Sequence, residues 1–318
     1  MENRQVKIAI LGAGNVGASI AFTLTVSGLA SELVLVDINK EKAEGEAMDI
    51  IQGTAFCPPT NIYAGDTSAI KGADIVVVTL GLARKPGQSR IDLAQANVDI
   101  VKSIMPEIVS YAPNALYVVV SNPVDILTYV IQKVTGLPSS QVIGSGTMLD
   151  TSRLRSRLAS HVGLSPKNVH AYVLGEHGDT SVIPWSLASI AGLSINEYCS
   201  VSSKTGSRCD ITGLAEIEHD VRTSGAEVIR RKGATFYAVA LSVRRICESL
   251  LTGTRSVLTV SSMLNGEYGI NDVCLSIPFV VNSGGIQDSV PPPLTKEEEA
   301  LLHASANSLK EVIQSLNI

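Results

Sequence analysis

The stretch Val6-Lys-Ile-Ala-Ile-Leu-Gly-Ala-Gly-Asn-Val-Gly17 decides the fold of this chain. It begins as an apolar, β-branched run that predicts a buried strand, and an apolar helical stretch follows its last glycine. The glycines allow a tight turn and let a pyrophosphate approach the helix N-terminus, where free N–H groups and the helix dipole favour anions. Because three glycines can also simply turn the chain, this pattern alone is weak.

A second strand strengthens the prediction. The apolar run Leu33–Val36 leads into Asp37, about 20 residues after Gly17. A carboxylate at this distance can accept hydrogen bonds from the hydroxyls of an adenosine ribose and repels a 2′-phosphate, so we expect NAD rather than NADP as cofactor. The candidate cofactor-binding residues are Gly12, Gly14, Val16, Gly17 and Asp37, with Asn122 added below.

Apolar runs alternate with longer amphipathic stretches through the first part of the chain. The predicted strands are Val6–Leu11, Leu33–Val36, Ile75–Thr79, Leu116–Ser121 and Gln141–Gly144. Strands that alternate with helices form parallel sheets with right-handed crossovers, covered on both faces. We therefore expect an α/β protein whose residues 1–145 form a Rossmann-type, doubly wound parallel sheet that binds NAD.

After about residue 145 the pattern changes. The apolar segments Val169–Leu174, Val257–Val260 and Val273–Val281 suggest a mixed, more antiparallel arrangement. The spacing of leucines and charges in Leu294–Leu316 predicts an exposed C-terminal helix. Residues 146–318 are therefore expected to form a C-terminal α+β lobe that binds substrate and carries the catalytic groups.

The composition describes a compact globular protein. Of its 318 residues, 45% are hydrophobic and 17% are charged. A net charge of -5, with a pI near 5.6, offers no basic field to nucleic acid or to an anionic membrane. The five cysteines are widely spaced and include no Cys-x-x-Cys pair, so we expect neither a disulfide framework nor a metal site. Without a signal peptide or an apolar stretch of about 20 residues, the protein is expected to be soluble and cytoplasmic.

Two loops follow predicted strands, at the sheet edge where ligands bind. The first, Gly81-Leu-Ala-Arg-Lys-Pro-Gly-Gln-Ser-Arg90, is polar and can close over a substrate while Arg90 polarises a carbonyl, unless it is an ordinary solvated basic loop. In the second, Ser121-Asn-Pro-Val-Asp125, the amide of Asn122 can donate to a substrate oxygen or order the cofactor. That second pattern is also a common turn signal.

A carboxylate, an arginine and a histidine indicate the chemistry. Asp150 and Arg153 are three residues apart on a predicted helix and share a face, which His177 in Gly175-Glu-His-Gly-Asp179 could meet. An adjacent carboxylate favours a protonated histidine, which can give a proton to a keto oxygen as hydride arrives, and an arginine grips a carboxylate. These residues predict hydride and proton transfer on a 2-keto or 2-hydroxy acid. The alternative is a structural ion pair beside a surface loop.

These segments together resemble the L-lactate and malate dehydrogenase family over essentially the whole chain. The matching motifs are Gly12–Gly17, Asp37, Arg90, Ser121–Pro123, Asp150, Arg153 and Gly175–Asp179. The resemblance implies that His177 is the acid/base, that Asp150 orients it and that Arg153 clamps the substrate carboxylate. It further implies that Arg90 polarises the keto group and that Asn122 bonds near substrate and nicotinamide. A homotetrameric enzyme of glycolysis and fermentation is the corresponding expectation.

Two signals conflict over the substrate. Arg84 stands where malate enzymes of the family carry arginine, and an inward-facing arginine would pair with the second carboxylate of oxaloacetate. Against this, Glu176, Gly146-Thr-Met-Leu-Asp150 and Lys232-Gly-Ala-Thr-Phe-Tyr237 resemble the lactate branch, in which Thr235 would line the pocket and crowd a larger side chain. Some bacterial lactate enzymes also carry arginine at the discriminating position. We favour reversible reduction of pyruvate to L-lactate; a malate enzyme and a catalytically silent NAD-binding protein are the alternatives.

Two further residues suggest regulation. Arg155 faces away from Arg153 on the predicted helix, and His170 precedes the loop of His177. Both match the positions with which allosteric bacterial members of the family bind fructose 1,6-bisphosphate at a subunit interface. Cationic side chains gathered across a twofold axis repel one another until a bisphosphate neutralises them. The alternative is an exposed arginine and an ordinary strand histidine.

Overall fold

The computed structural model describes residues 5–82, 89–204 and 213–318. Its first part contains, in chain order, β1 (Lys7–Leu11), α1 (Asn15–Ser27), β2 (Glu32–Val36), α2 (Lys40–Gln52), β3 (Asn61–Ala64), β4 (Ile75–Val78), α3 (Arg90–Tyr111), β5 (Leu116–Val119), α4 (Val124–Thr135) and β6 (Val142–Gly144). Then follow α5 (Met148–Val162), β7 (Val169–His170), β8 (Ser189–Ile190), β9 (Leu193–Ser194), α6 (Ile195–Lys204), α7 (Leu214–Lys232), α8 (Tyr237–Thr252), β10 (Ser256–Asn265), β11 (Asn271–Asn282), β12 (Gly285–Ser289) and α9 (Lys296–Ser315).

The first six strands form a parallel sheet in the order β3-β2-β1-β4-β5-β6. Every residue of β4 is buried, as are the last four residues of β1 and β2, because helices cover the sheet. Strand β1 pairs with β2 on one side and β4 on the other, so the chain order reverses there. Ligands of doubly wound sheets bind beyond the carboxyl ends of the strands at such a point. The predicted fold class is confirmed.

The same sheet continues into the C-terminal part of the chain. Strand β10 pairs antiparallel with β6, where Ser261 lies opposite Gly144. Strands β11 and β12 follow by antiparallel pairing, which gives nine strands in one sheet within the described residues. The main hydrophobic core therefore extends across both parts of the chain.

A smaller core lies beside this sheet. It is built where α5 and α7 pack together over the short sheet β7-β8-β9. Its fully buried aliphatic side chains include Leu154, Leu158, Val169 and Val173. This core holds α5, which carries Asp150 and Arg153, beside β10 of the main sheet.

Several sequence predictions need correction. Strand β3 was not predicted, because Asn61–Ala64 is a partly exposed edge strand without a run of fully buried side chains. Only the first two residues of the predicted strand Val169–Leu174 form a strand. The C-terminal helix is not simply exposed, since one side of α9, including Leu302 and Ser305, is buried against the rest of the molecule.

The cysteine spacing predicted no disulfide framework, but Cys199 forms a disulfide. Disulfide formation depends on the distance between two Cα atoms in the fold, which linear spacing does not give. Cys57, Cys247 and Cys274 are free thiols. No helix among the described residues is long and apolar enough to cross a membrane.

Candidate active site

The glycine-rich turn lies at the carboxyl end of β1. Gly12 has φ 97°, a conformation that favours glycine, and its N–H donates to the carbonyl of Val36 on the neighbouring strand. A Cβ atom on Gly17 would lie 1.9 Å from the carbonyl oxygen of Gly12, so only glycine fits where α1 crosses the turn. Val16, in the first turn of α1, is half-buried beside it.

The N-terminus of α1 is shaped to receive a dinucleotide. Its N-cap residue Gly14 provides no side-chain hydrogen bond, which leaves the first N–H groups for another acceptor. A Cβ on Gly14 would have nothing within 4 Å, so the space above the turn is open. An open surface with free N–H groups at a helix N-terminus suits a pyrophosphate.

Asp37 stands directly after β2 and beside the same turn. Its Oδ2 accepts a hydrogen bond from the N–H of Ala13 at 2.6 Å, and its Oδ1 accepts one from the N–H of Asn39 at 2.8 Å. The carboxylate therefore braces the glycine turn from the second strand. A ribose placed over the turn would meet a fixed negative charge, as the NAD prediction requires.

The two predicted loops reach the same edge of the sheet. The side chain of Asn122 is exposed, and the backbone carbonyl of Asn122 accepts a hydrogen bond from Asn97 Nδ2 at 2.8 Å. The Oδ1 atom of Asn97 accepts from the N–H of Leu82 at 2.8 Å, so one buried side chain joins both loops. Arg90 is the first residue of α3. Arg84 lies outside the described residues.

Asp150 is the central residue of the candidate site. It is 7% exposed and lies in the first turn of α5. Its Oδ1 atom is 2.9 Å from Nη1 of Arg153, one turn further along the helix. Its Oδ2 atom is 2.5 Å from Nδ1 of His177. One carboxylate thus holds both the arginine and the histidine.

His177 reaches Asp150 because of how its loop is anchored. Leu174 pairs with Val182, and Gly175 pairs with Ser276 on β11, so the backbone on either side of the loop is attached to other segments. The N–H of Glu176 donates to Oγ of the buried Ser305 on α9 at 2.9 Å. The loop therefore presents the imidazole toward α5, with its side chain 23% exposed.

The electrostatics favour a charged pair. Burial by itself lowers the pKa of His177, but the charge and hydrogen bond of Asp150 outweigh it, and the pKa is raised overall. Burial would raise the pKa of Asp150, yet the charges and hydrogen bonds of His177 and Arg153 hold it below its ordinary value. Both shifts favour an imidazolium beside a carboxylate, and Nε2 is then the proton-bearing atom that can face a ligand.

Sequence reasoning missed Asp125, as it missed Ser305. Asp125, in the first turn of α4 and 3% exposed, accepts a hydrogen bond through Oδ2 from the backbone N–H of His177 at 2.8 Å. It belongs to the Ser121–Asp125 motif, where only Asn122 was given a role. The two residues are 52 positions apart, and nothing in the local pattern indicates that contact.

A cavity of about 570 Å³ reaches the arginine of the site. Arg153, Leu149, Glu227 and Ala238 are among the residues that line it. Thr235 is half-buried in the turn between α7 and α8, three residues before Ala238. A Cβ added to Gly225 on α7 would lie 3.6 Å from Nη2 of Arg153, so this helix passes close to the guanidinium.

The predicted regulatory residues lie on the far side of α5. Nη2 of Arg155 donates to the carbonyl of Pro166 at 3.3 Å, and His170 is exposed on β7. Arg155 lines a second cavity of about 520 Å³, together with the cationic side chains of Lys167 and Arg245. This second cavity is therefore rich in positive charge.

Two family descriptions match the chain. The lactate/malate dehydrogenase NAD binding domain matches residues 6–144. The lactate/malate dehydrogenase alpha/beta C-terminal domain matches residues 147–317.

Curated relatives and solved structures agree with these matches. L-lactate dehydrogenase 1 of Clostridium acetobutylicum is 50% identical over 313 residues, covering 98% of this chain and 99% of the relative. An L-lactate dehydrogenase of Thermoanaerobacterium saccharolyticum is 48% identical over 312 residues, covering 98% and 99%. The crystal structure of the minor L-lactate dehydrogenase from Enterococcus mundtii superposes with a TM-score of 0.94 at 38% identity and covers 99% of both chains.

Proposed function

The chain belongs to the lactate/malate dehydrogenase family, and on this basis we propose that it is an L-lactate dehydrogenase that reduces pyruvate with NADH to L-lactate and NAD+, reversibly. The observation that carries the proposal is the joint contact of Asp150 with Arg153 and His177. Relatives called L-lactate dehydrogenase, up to 50% identical over nearly the whole chain, favour the lactate reading over the malate reading. A silent NAD-binding protein would not need this constellation.

The protein's own groups bind the substrate and move the proton. Arg153 holds the carboxylate of pyruvate through its guanidinium, which Asp150 orients from the same helix. His177 donates its Nε2 proton to the keto oxygen, and Asp150 keeps Nδ1 engaged so that the proton leaves from Nε2. The nicotinamide, when bound, supplies the hydride. In the reverse direction neutral His177 takes the proton back from the hydroxyl of lactate.

Other assignments rest on the sequence and the surroundings. Gly12, Gly14, Val16, Gly17 and Asp37 would hold the dinucleotide, with Asn122 between cofactor and substrate. Arg90 would polarise the keto oxygen and Thr235 would limit the size of the substrate side chain. Residues 1–145 and 146–318 would be the cofactor and catalytic domains, and the enzyme would act in the cytoplasm in glycolysis and fermentation.

The test is the oxidation of NADH by the purified protein with pyruvate and with oxaloacetate. We expect pyruvate to give the larger kcat/KM. A larger kcat/KM with oxaloacetate would indicate a malate dehydrogenase whose Arg84 binds the second carboxylate of the substrate. Arg84→Gln distinguishes these readings, because it would abolish oxaloacetate reduction only if the arginine faces the substrate.

Assembly into a homotetramer is also part of the proposal. It is supported by an apolar surface that α1, α2 and α8 share around a groove of about 390 Å³. Phe22, Tyr237 and Leu241 line this groove and are 58%, 69% and 60% exposed, and Met48 on α2 is 60% exposed. Exposed apolar groups clustered in this way indicate an interface, here with a second copy of the chain. Light scattering that finds only monomers at micromolar concentration would contradict it.

Regulation by a sugar bisphosphate completes the proposal. The positive side chains of Arg155, Lys167 and Arg245 around one cavity supply the charge that two phosphate groups need. His170 would contribute from β7 once two protomers meet. The effector that we propose for this cavity is fructose 1,6-bisphosphate.

A further inference from the structure

Asp125 is a buried carboxylate that the proposed reaction does not use. Its Oδ2 accepts from the backbone N–H of His177 at 2.8 Å. Its Oδ1 has no hydrogen-bond partner, and neither has Oγ of the fully buried Ser261 among the described residues. Burying a charge without full hydrogen bonding is unfavourable, so a neutral acceptor would anchor the loop at lower cost. Anchoring the loop therefore does not explain why the acceptor at position 125 is a carboxylate that can carry a charge.

The groups around this carboxylate and around His177 come from several elements. His177 faces Asp150 and Arg153 on α5 and Asp125 on α4. Asp125 faces His177, Glu176 of the same loop, Ser261 on β10 and the buried thiol of Cys274 on β11. His177 and Arg153 are the cationic members of this set, and His177 is the one that faces both aspartates.

The charges of these groups act on one another. Burial raises the pKa of Asp125 to about 6, although the hydrogen bond from the backbone N–H of His177 and the charge of His177 oppose the rise. Asp125 is therefore mainly ionised at neutral pH. Its negative charge adds to that of Asp150 in raising the pKa of His177 against the effect of burial. His177 thus contacts two carboxylates, that of Asp150 at its ring and that of Asp125 at its backbone N–H.

We propose that Asp125 is a positioning residue for His177, which anchors the backbone of the catalytic loop and places a second negative charge beside the imidazolium. This proposal rests on the proposed function, in which protonated His177 is the proton donor to pyruvate. The carboxylate keeps the donor form populated to higher pH than Asp150 alone would. Ser305 accepts from the neighbouring N–H of Glu176 through a neutral hydroxyl. The effect of the charge on Asp125 can therefore be compared with that of an uncharged anchor on the same loop.

The experiment compares Asp125→Asn with Ser305→Ala. Asparagine retains an oxygen that can accept from the N–H of His177 but carries no charge. We expect the pKa of His177 to fall by about 1 unit, the low end of the effect of one opposite charge nearby. Because pyruvate reduction needs protonated His177, the alkaline decline of kcat/KM should move down by the same amount. Ser305→Ala should lower turnover at every pH and leave the pKa of His177 in place.

The pKa of His177 can be read without turnover, by NMR titration of the protein labelled with 13C-histidine, with the signal assigned by its loss in His177→Asn. An unchanged His177 titration in Asp125→Asn overturns the proposal, and so does an equal shift in Ser305→Ala. If the unmodified protein fails to reduce pyruvate, the proposed function fails, while the NMR comparison still decides the role of Asp125.

Discussion

Oδ2 of Asp150 lies 2.5 Å from Nδ1 of His177, while Oδ1 of the same carboxylate lies 2.9 Å from Arg153. The substrate anchor and the proton donor therefore share one acceptor, and a change in the carboxylate affects both. Their relative position is set by contacts within the chain, through α5 and through the anchored loop. Preorganisation of this kind reduces the ordering that the reaction would otherwise require.

Replacing Asp150 with Asn should remove the charge that raises the pKa of His177. Without this charge the pKa of His177 falls, so the protonated donor is lost at lower pH and pyruvate reduction declines earlier as pH rises. Turnover should fall by about 10²–10⁴-fold, the usual range for a misdirected acid/base. The pH dependence of kcat/KM for pyruvate measures this, and a profile matching the unmodified protein would contradict the orienting role.

Replacing His177 with Asn should slow pyruvate reduction by about 10²–10⁴-fold, because no proton donor remains for the keto oxygen. NADH binding should persist, since the glycine turn and Asp37 follow β1 and β2 and are not part of the loop that carries His177. Steady-state kinetics and a fluorescence titration with NADH provide the two measurements. Comparable turnover in this variant would support a proton donor elsewhere.

Replacing Arg153 with Lys should weaken substrate binding, because an ammonium cannot make the two parallel bonds of a guanidinium. We expect a loss of about 2 kcal/mol, or roughly 30-fold in kcat/KM for pyruvate. Arg157→Lys is a suitable control, since Arg157 is exposed on the same helix and pairs with Asp220. A similar loss in both variants would mean that general destabilisation of α5 explains the result.

Gly17→Ala should damage both NADH binding and stability, because the new Cβ would lie 1.9 Å from the carbonyl oxygen of Gly12. Overpacking of this kind costs about 1–3 kcal/mol or more. Gly45 on α2 has nothing within 4 Å of an added Cβ, so Gly45→Ala should be neutral or slightly stabilising. Thermal unfolding and NADH titration of the pair measure the difference, and equal Tm values would refute the steric argument.

Fructose 1,6-bisphosphate should lower the half-saturating pyruvate concentration if the cationic cavity beside α5 is regulatory. Arg155→Gln should remove this response, because one of the phosphate-binding charges is lost. The measurement is a titration of activity with the sugar bisphosphate at fixed NADH. An unchanged half-saturation in the unmodified protein would exclude regulation of this type.

Local patterns predicted the parts of the site that depend on local geometry. Gly12 and Gly17 were identifiable because a strand precedes them and a helix follows. Asp150 and Arg153 were identifiable because their spacing places them on one helix face. Asp125 and Ser305 were missed, since their contacts with the catalytic loop join residues 52 and 129 positions apart. Such contacts arise from packing, which single-sequence patterns do not describe.

The pairing of Ser261 with Gly144 has a consequence for how the molecule unfolds. Because β10 continues the sheet that begins with β1, the two parts of the chain share backbone hydrogen bonds and one apolar interior. Truncation after residue 145 would leave β6 paired with β5 on one side only, as an apolar edge strand, which is a surface prone to aggregation. We therefore expect the chain to melt as a single cooperative unit, and limited proteolysis to yield no stable half.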